Sequence, residues 1–322
     1  MIAIRSVGIV GTGSFVPPSI LTNIDIEKMV DTSNQWIIER TGICERRISS
    51  PETTASDLGV PASLAALQSA GINPEDIDLI IVATSTPDMT FPSTACFIQN
   101  KIGASRAACF DISAACTGFS YALETGRQFI ATSTYKTALI VGTEVMSRVL
   151  DWTDRNTCVL FGDGAGAAVL QPVADNYGIL STSLGADGRL ASMLDLPAGG
   201  CIRMSGREVF KVAVNTMIEA VEKVLNNAGI SQEAVSLLIP HQANIRIIEA
   251  MGKRLNIPSE RIFVNLQKYG NVSAGSTIIA LDEAVRQGRV ADGDIVVIVA
   301  FGGGLTWGAT VIRWGGVLIS EK

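Results

Sequence analysis

Two stretches of this chain, 158 residues apart, carry the same pattern. The first begins Ala-Gly-Ile at Ala70, passes through an acidic turn and ends in the apolar residues 79–82. The second begins Ala-Gly-Ile at Ala228, has a similar turn and ends in the apolar residues 237–239. Similarity at an offset of about half the chain indicates a duplicated fold, whose equivalent elements meet across a pseudo-two-fold axis. The repeat therefore restricts the chain to two similar halves.

The order of elements within each copy predicts the fold class. After its first strand, each copy is predicted to have a helix, a short strand, a second helix and a buried closing strand. The short strands are expected at 110–111 and 264–265, and the closing strands at 137–142 and 294–300. Strands that alternate with helices indicate a mainly parallel sheet covered by helices. The sequence thus predicts an α/β protein with two βαβ-rich halves, residues 1–172 and 173–322.

Helix signals predict two boundaries within these halves. Apolar residues at helical spacing through 210–224, followed by a stop at Gly229, predict a helix in the second half. In the first half we expect the matching helix to begin near Pro61, because proline lacks the N–H group that later helix positions need.

Composition excludes several classes of protein. The chain has 322 residues, a net charge of −6 and one histidine. It lacks the excess of Lys and Arg on which nucleic-acid binding depends. Its six cysteines have no CxxC spacing, and with a single histidine they argue against a zinc site and a secreted disulfide scaffold. No apolar run approaches the length of a membrane span. We expect a cytoplasmic protein that binds no metal, nucleic acid or membrane.

Cys116 lies in a run of small residues at the predicted start of a helix. The free N–H groups and the dipole of a helix N-terminus favour a thiolate, so we expect the pKa of this thiol to be lowered. The same N–H groups can hold a developing oxyanion. The alternative is a buried structural cysteine on a helix of small residues, and Cys116 alone does not decide between the two.

Three further segments could contribute chemical groups. His241 follows a buried strand, a position where α/β folds usually place their sites. Asn271 lies in a loop before the helix predicted at 277–285, and the repeat brings it into the neighbourhood of Cys116. A third segment, Phe301 with the glycines 302–304, ends a buried strand in bare backbone that a ligand can approach closely. A hydrogen-bonded core histidine, a Gly-Asn turn and a glycine turn are the structural alternatives.

Together, these four segments resemble one enzyme family. The motifs are Asp-Ile-Ser-Ala-Ala-Cys-Thr-Gly-Phe around Cys116, His-Gln-Ala-Asn from His241, Gly-Asn-Val-Ser-Ala-Gly-Ser around Asn271, and Phe-Gly-Gly-Gly from Phe301. In this order, and over essentially the whole chain, they are similar to β-ketoacyl-acyl-carrier-protein synthase III, a condensing enzyme. The resemblance implies a thiolase-like fold with α-β-α-β-α layers.

The resemblance also implies a reaction that initiates fatty acid synthesis. Cys116 would take an acyl group from an acyl-CoA primer, such as acetyl-CoA, and malonyl-acyl carrier protein would then lose carbon dioxide and attack it. His241 and Asn271 would donate hydrogen bonds to the thioester oxygen, with Phe301 beside the malonyl carboxylate. The N–H groups of Cys116 and Gly303 would hold the oxyanion. No cofactor is implied, because the CoA thioester is itself the substrate.

Binding residues follow from the same resemblance. Trp36 and Arg155 match a pair that sandwiches the CoA adenine. Positions along the CoA tunnel are Thr32, Arg40, Gly206 and Asn244. The acyl pocket is expected to involve Leu160, Phe161 and, from the partner subunit of a homodimer, Phe91. The docking surface for acidic carrier protein is expected at Lys211, Arg246, Lys253 and Arg254. Asn156 and Arg207 depart from the family pattern at the predicted tunnel mouth.

Other members of the same fold, and two other classes of protein, are alternatives to this family. Thiolase would need a second catalytic cysteine near Gly303, where this chain has only glycines. A hydroxymethylglutaryl-CoA synthase would need a glutamate in the region of Thr84-Ser85-Thr86, and an elongating condensing enzyme would need two histidines. The chain has neither feature, so these three enzymes are disfavoured. A secondary-metabolite condensing enzyme with the same triad remains open. So do a Cys-His-Asn thioester hydrolase, which would turn over acyl-CoA alone, and a non-enzymatic binding module. The identity of the acyl group does not follow from the sequence.

Overall fold

The structure is a computed structural model that describes residues 4–318, so the outermost ends of the two predicted halves lie outside the described residues. The elements up to residue 172 are β1 (Val7–Phe15), β2 (Ile20–Thr22), α1 (Asn23–Ile26), α2 (Asn34–Thr41), β3 (Glu45–Arg47), α3 (Ala55–Ala70), β4 (Leu79–Ala83), α4 (Thr94–Ile102), β5 (Ala108–Ile112), α5 (Gly118–Ala131), β6 (Ala138–Val145) and β7 (Asp163–Pro172). Five of these strands form a sheet in the order β1-β7-β6-β4-β5. Strands β4, β5 and β6 run parallel, while β7 is antiparallel to both β6 and β1.

The second half repeats this arrangement with one strand fewer. Its elements are β8 (Gly178–Ala186), β9 (Leu194–Asp195), β10 (Arg203–Met204), α6 (Gly206–Ala228), β11 (Leu237–Pro240), α7 (Ile245–Arg254), α8 (Leu266–Tyr269), α9 (Ser276–Arg286), β12 (Ile295–Gly302) and β13 (Thr306–Arg313). The sheet order β11-β12-β13-β8 matches β4-β6-β7-β1 of the first half. All of the first large sheet comes from residues 7–172 and all of the second from 178–313. The division into halves at residue 172 stays a prediction.

The short strand predicted at 264–265 is wrong. At this place the chain makes only a single bridge, between Leu238 and Ile262, and the Phe263 N–H donates to the Leu238 carbonyl. The Gln242 side-chain oxygen accepts the backbone N–H groups of Asn265 and Leu266, so a side chain takes the place of a neighbouring strand. The strand predicted at 110–111 does form, as β5.

Alternating apolar residues on the strands produce five layers. Leu79 and Ile81 of β4 face a core that includes α5, α9 and the inner residues of β11 and β12, whereas Ile80 and Val82 face α3 and α4. On the second sheet, Val297 of β12 packs against α6 and α7. Two central helices thus lie between two sheets, and further helices cover each outer face. The predicted α-β-α-β-α arrangement is confirmed.

Helix α3 begins earlier than predicted, so the start near Pro61 is wrong. Its first residue is Ala55, because Thr54 and Asp57 form a capping box that satisfies the N-terminal N–H groups. Pro61 lies in the second turn, where its missing N–H forfeits one hydrogen bond, to the Asp57 carbonyl. The apolar face that α3 buries outweighs this loss. The helix predicted through 210–224 is confirmed as α6, which ends at Gly229 in a left-handed conformation.

Among residues 4–318, no helix is both long and apolar enough to cross a membrane.

Candidate active site

Cys116 lies where the two halves of the chain meet. It occupies a 3-10 turn, Ala115–Thr117, between the end of β5 and the start of α5. The end of β12, from the second half, packs directly against it: a Cβ atom added at Gly302 would lie 2.8 Å from the Cys116 nitrogen. Only glycine permits so close an approach. The thiol is therefore held between elements that are almost 200 residues apart in the chain, and its residue is 6% exposed.

His241 and Asn271 come from the second half. His241 directly follows β11, and its backbone N–H donates to the Val299 carbonyl of β12 at 2.8 Å. Asn271 forms a parallel bridge with Phe161 of the first half, and its N–H donates to the Leu160 carbonyl at 2.8 Å. The Ser273 N–H donates to Asn271 Oδ1 at 2.8 Å. That bond occupies the acceptor of the Asn271 amide, so the amide is left to act as a donor.

Cys116 forms part of the wall of two cavities. The larger has a volume of about 950 Å³ and is lined by Cys116, His241, Asn271 and Phe301. The smaller, of about 400 Å³, is lined by Cys116, Gly303 and mainly apolar side chains. Phe161 lines both. The three chemical groups that the sequence singled out therefore share one cavity, as predicted from the repeat for Cys116 and Asn271.

Burial controls the electrostatics of this site. It raises the pKa of the Cys116 thiol to about 12; hydrogen bonds from Ser273 and Asn271 oppose the rise and the nearby Glu144 carboxyl adds to it. Burial also lowers the pKa of His241 to about 4. Both groups are thus neutral at pH 7. The expected lowering of the Cys116 pKa is wrong, because the sulfur lies buried between the two halves rather than open to solvent at a helix end.

Alkylation of Cys116 should follow this raised pKa. Only the thiolate reacts with iodoacetamide, so the rate should rise about tenfold per pH unit from pH 7 to pH 9 and not level off below about pH 10. A free thiol such as N-acetylcysteine, in the same buffers, should level off above about pH 9. Peptide mass spectrometry after timed quenching separates Cys116 from the other cysteines. A plateau at Cys116 below pH 8 would show a thiolate at rest.

The mouth of the larger cavity is basic. Of the predicted binding residues, the cavity is lined by Trp36, Arg40, Arg155, Gly206, Asn244, Leu160, Phe161, Lys211 and Arg246. Asn156 and Arg207, the two departures from the family pattern, line it as well. The Arg155 guanidinium carbon lies 5.1 Å from the centroid of the Trp36 ring, and Arg155 Nη1 donates to the Asp31 carbonyl at 2.7 Å. This set of cations in an acidic chain suits an anionic ligand.

Four predicted residues lie elsewhere among the residues described. Thr32 is outside both cavity linings, and its hydroxyl is buried without a hydrogen bond. Phe91 is 82% exposed on a loop. Lys253 and Arg254 are exposed at the end of α7, beyond the cavity lining, whereas Arg246 in the first turn of the same helix lines the larger cavity. Gly303 lines the smaller cavity, beside Cys116, and not the larger one.

Asn244 and Gln242 have structural contacts that sequence reasoning did not foresee. Asn244 caps α7 by accepting the Arg246 N–H, and its amide donates to the Arg40 carbonyl at 2.9 Å. Gln242 is buried, and its amide donates to the Pro240 and Phe263 carbonyls. It ties the His241 segment to the loop that leads toward Asn271. Its position beside the only histidine was the available signal.

Glu144 was also missed. It is fully buried near the end of β6, its charge acts on Cys116, and it contacts the turn that follows Asn271. A charged residue near the end of an otherwise apolar strand could have drawn attention to it, by the same rule that pointed to His241. No group of three or more His, Cys, Asp or Glu side chains within 4–318 could hold a metal ion.

Comparison with known proteins identifies the family. The family model of 3-oxoacyl-[acyl-carrier-protein (ACP)] synthase III matches residues 110–188. The family model of the C-terminal part of the same enzyme matches residues 225–314. The chain is 55% identical to a β-ketoacyl-[acyl-carrier-protein] synthase III of Desulfitobacterium hafniense, over 96% of this chain and 98% of that one. The crystal structure of 3-oxoacyl-[acyl-carrier-protein] synthase III from Aquifex aeolicus is 52% identical, covers 96% of this chain and all of its own, and superposes with a TM-score of 0.94.

A third relative bears on the type of pathway. The priming β-ketosynthase from the R1128 polyketide biosynthetic pathway is 35% identical, with a TM-score of 0.93 and 99% of each chain covered. The match to all of these along nearly the full length confirms both the thiolase-like fold and the predicted resemblance. This chain belongs to the β-ketoacyl-acyl-carrier-protein synthase III family of condensing enzymes.

Proposed function

We propose that this enzyme initiates fatty acid synthesis by joining an acyl-CoA primer to malonyl-acyl carrier protein. The products are 3-oxoacyl-acyl carrier protein, carbon dioxide and free CoA. The observation that carries the proposal is that Cys116, His241 and Asn271 line one cavity with a basic mouth, and that Cys116 also borders a second, mainly apolar cavity. One cavity can admit a CoA or carrier-protein arm while the other holds an acyl group.

The first half-reaction is a thioester exchange. The Cys116 sulfur attacks the acyl-CoA carbonyl, the bond to the CoA sulfur breaks, and the thiol proton leaves with CoA. The tetrahedral intermediate places negative charge on oxygen, and the N–H groups of Cys116 and Gly303 would stabilise that oxyanion. The position of Gly303 beside Cys116 in the smaller cavity supports this role.

The second half-reaction uses neutral donors. Malonyl thioester loses carbon dioxide, and the electron pair of the broken bond passes to the thioester oxygen as an enolate. The carbanion then attacks the acyl-Cys116 carbonyl and expels the thiolate, which takes up a proton from solvent to restore the resting thiol. His241, with its pKa lowered to about 4, can donate a hydrogen bond without carrying charge, and the Asn271 amide is oriented as a donor. Phe301, which is buried beside them, would keep water away from the leaving carboxylate.

The entrance fits a CoA thioester. Trp36 and Arg155 present two flat groups that already stack on each other, and an adenine ring between them would part the pair. Thr32, Arg40, Gly206 and Asn244 remain proposed positions along the path of the pantetheine arm and phosphates. Because the thioesters carry all the reacting groups, we expect no cofactor.

Assembly and location are further parts of the proposal. The exposed Phe91, with the half-exposed Met89 next to it in the same loop, supports a homodimer in which Phe91 enters the partner's acyl pocket. Phe161, which lines both cavities, would shape that pocket from within the subunit, and Leu160 would contribute from the larger cavity, which it lines. We expect the enzyme to work in the cytoplasm.

Carrier protein is proposed to dock beside α7. Arg246, Lys253 and Arg254 of this helix are exposed, and Lys211 lies nearby at the cavity mouth. Reversing Arg246 to Glu should raise the KM for malonyl-acyl carrier protein about tenfold, because a rim charge mainly governs encounter with an oppositely charged partner. The rate of Cys116 loading from acyl-CoA should change by less than about threefold, because the other cations that line the cavity, Arg40, Arg155, Arg207 and Lys211, remain to face the CoA phosphates.

The matched control is Lys136→Glu, which makes the same change of charge on the exposed loop between α5 and β6, away from both cavities. Steady-state kinetics with malonyl-acyl carrier protein, and the burst of CoA release without it, measure the two effects. Equal losses in both assays, or an equal rise in KM for the control, would remove α7 from the docking surface.

A synthase and a thioester hydrolase differ in one requirement. A synthase should release no more than one equivalent of CoA per active site until malonyl-acyl carrier protein is added, and should then form 3-oxoacyl-acyl carrier protein. Continuous release of CoA from acetyl-CoA alone would favour the hydrolase.

The likeness to a polyketide priming ketosynthase makes a secondary-metabolite condensing enzyme the second candidate, and a primer panel in this assay tests it.

A further inference from the structure

Glu144 is a buried carboxyl with no cationic partner among residues 4–318. It is 0% exposed near the carboxyl end of β6. A buried carboxyl is costly unless hydrogen bonds replace the water it loses. The hydrogen bonds that Glu144 makes therefore indicate its role.

One oxygen of Glu144 binds the loop after β4. Glu144 Oε2 accepts the Ser85 N–H at 2.9 Å and the Thr86 hydroxyl at 2.7 Å, with the Thr84 hydroxyl at 3.3 Å. Thr86 is used from both sides, since its oxygen also accepts the Val145 N–H at 2.8 Å. This oxygen is thus fully occupied within the first half of the chain.

The other oxygen points to the second half. Glu144 Oε1 accepts the Ala274 N–H at 3.4 Å. Burial raises the pKa of Glu144, and its interactions with Ser273 and Ala274 oppose that rise. Gly142 lets the two halves come this close, because a Cβ atom there would lie 2.5 Å from the Ala274 carbonyl oxygen. Glu144 therefore connects the turn at 273–275 to the first half.

This turn orients Asn271. Ser273 has a φ of 44°, in the left-handed region. This conformation costs a residue other than glycine about 1 kcal/mol or more, so it persists only if contacts with the surrounding residues hold it. In this conformation the Ser273 N–H donates to Asn271 Oδ1 and fixes the amide. The contacts thus run from Glu144 through the Ser273 turn to the Asn271 amide.

We propose that Glu144 is a positioning residue for the second half-reaction: it holds the Ser273 turn so that the Asn271 amide points its N–H toward the malonyl thioester oxygen. The inference rests on the proposed function. Cys116 packs against the end of β12, and the Glu144 charge raises the pKa of its thiol, so loss of that charge should not slow acyl transfer to Cys116.

The test is Glu144→Gln, which keeps the size of the side chain. Three donors surround the position of Oε2, so the amide oxygen of glutamine will settle there. Its NH₂ group must then face the Ala274 N–H, donor against donor, and the hold on the turn is lost. Misplacement of a catalytic group by about 1 Å can slow a reaction by about a hundredfold, so we expect condensation from preloaded acyl-enzyme to slow about tenfold or more.

Two rates are compared for each variant: Cys116 acylation by acetyl-CoA, followed by rapid-quench mass spectrometry, and product formation when purified acyl-enzyme meets malonyl-acyl carrier protein. Glu144→Gln should leave acylation within about threefold of wild type. Glu144→Asp keeps the carboxylate but shortens the side chain by one methylene group, which withdraws it from the Ala274 N–H. It should shift the ratio in the same direction and serves if Glu144→Gln does not fold.

Asp163→Asn is the matched control. Asp163 is also a fully buried carboxyl that accepts serine N–H groups, from Ser49 at 2.7 Å and Ser147 at 2.8 Å, but it makes no hydrogen bond to the Ser273 turn. The Asp163→Asn substitution should lower the stability of the fold without changing the ratio of the acylation rate to the condensation rate. Equal losses of both rates in Glu144→Gln, no loss in either, or the same split in Asp163→Asn would overturn the inference. Failure of wild-type Cys116 to become acylated would instead contradict the proposed function.

Discussion

Replacing Cys116 by alanine is expected to abolish acyl-enzyme formation and to lower condensation by about 10⁴-fold or more, as removal of a covalent nucleophile does elsewhere. Cys116 is the cysteine that lines both cavities, so no second thiol can take its place at their junction. The loss of one buried sulfur should leave the fold intact. Release of CoA from acetyl-CoA in a single turnover, together with product formation in the complete assay, measures both effects.

Cys158→Ala is the control for this substitution. Cys158 is also fully buried, but it packs with Ile26, Ile37 and Val159 in a separate small apolar cluster and borders neither cavity. It should unfold at a lower temperature than wild type and still be acylated. If Cys116→Ala released CoA in a burst of normal size, the nucleophile would have to be another group.

Substitution of His241 or Asn271 by alanine should slow condensation by about 10² to 10³-fold, the usual loss when one donor to a developing oxyanion is removed. Each provides a hydrogen bond that strengthens only as the enolate forms, so its effect should fall on the second half-reaction. Acylation of Cys116 should persist within about tenfold of wild type. The rate of carbon dioxide release from malonyl-acyl carrier protein, measured on preloaded acyl-enzyme, reports this step directly.

His241→Gln distinguishes a donor from a base. A glutamine at this position can donate a hydrogen bond but cannot take up a proton at neutral pH, so it should recover part of the rate that alanine loses. The low pKa of His241 already points to a neutral donor. Loss of acylation in step with condensation in the alanine variants would mean that these residues act on Cys116 rather than on the enolate.

The repeat and the strand patterns predicted most of the fold. Apolar runs such as 79–82 and 294–300 identified the buried strands β4 and β12, because a strand covered on both faces has no polar side to interrupt it. The same repeat brought Asn271 to Cys116, since equivalent loops of duplicated halves meet near their common axis. The family motifs then identified the chemistry.

Features decided by tertiary contacts could not be read in the same way. The start of α3 depends on the balance between a capping box at Thr54 and a proline seven residues later. The prediction from sequence relied on the proline and therefore placed the start of the helix too late. Whether the Cys116 pKa rises or falls depends on its depth below the surface, which local sequence does not state. Glu144 gains its contacts only because the other half of the chain packs against it.

Intact-mass spectrometry with a chase tests the central claim most directly. Wild-type enzyme incubated with acetyl-CoA should gain the mass of one acetyl group per chain, located on the Cys116 peptide. Addition of malonyl-acyl carrier protein should then remove that group as 3-oxoacyl-acyl carrier protein. An adduct on another residue, or one that water removes as fast as malonyl-acyl carrier protein does, would contradict the account.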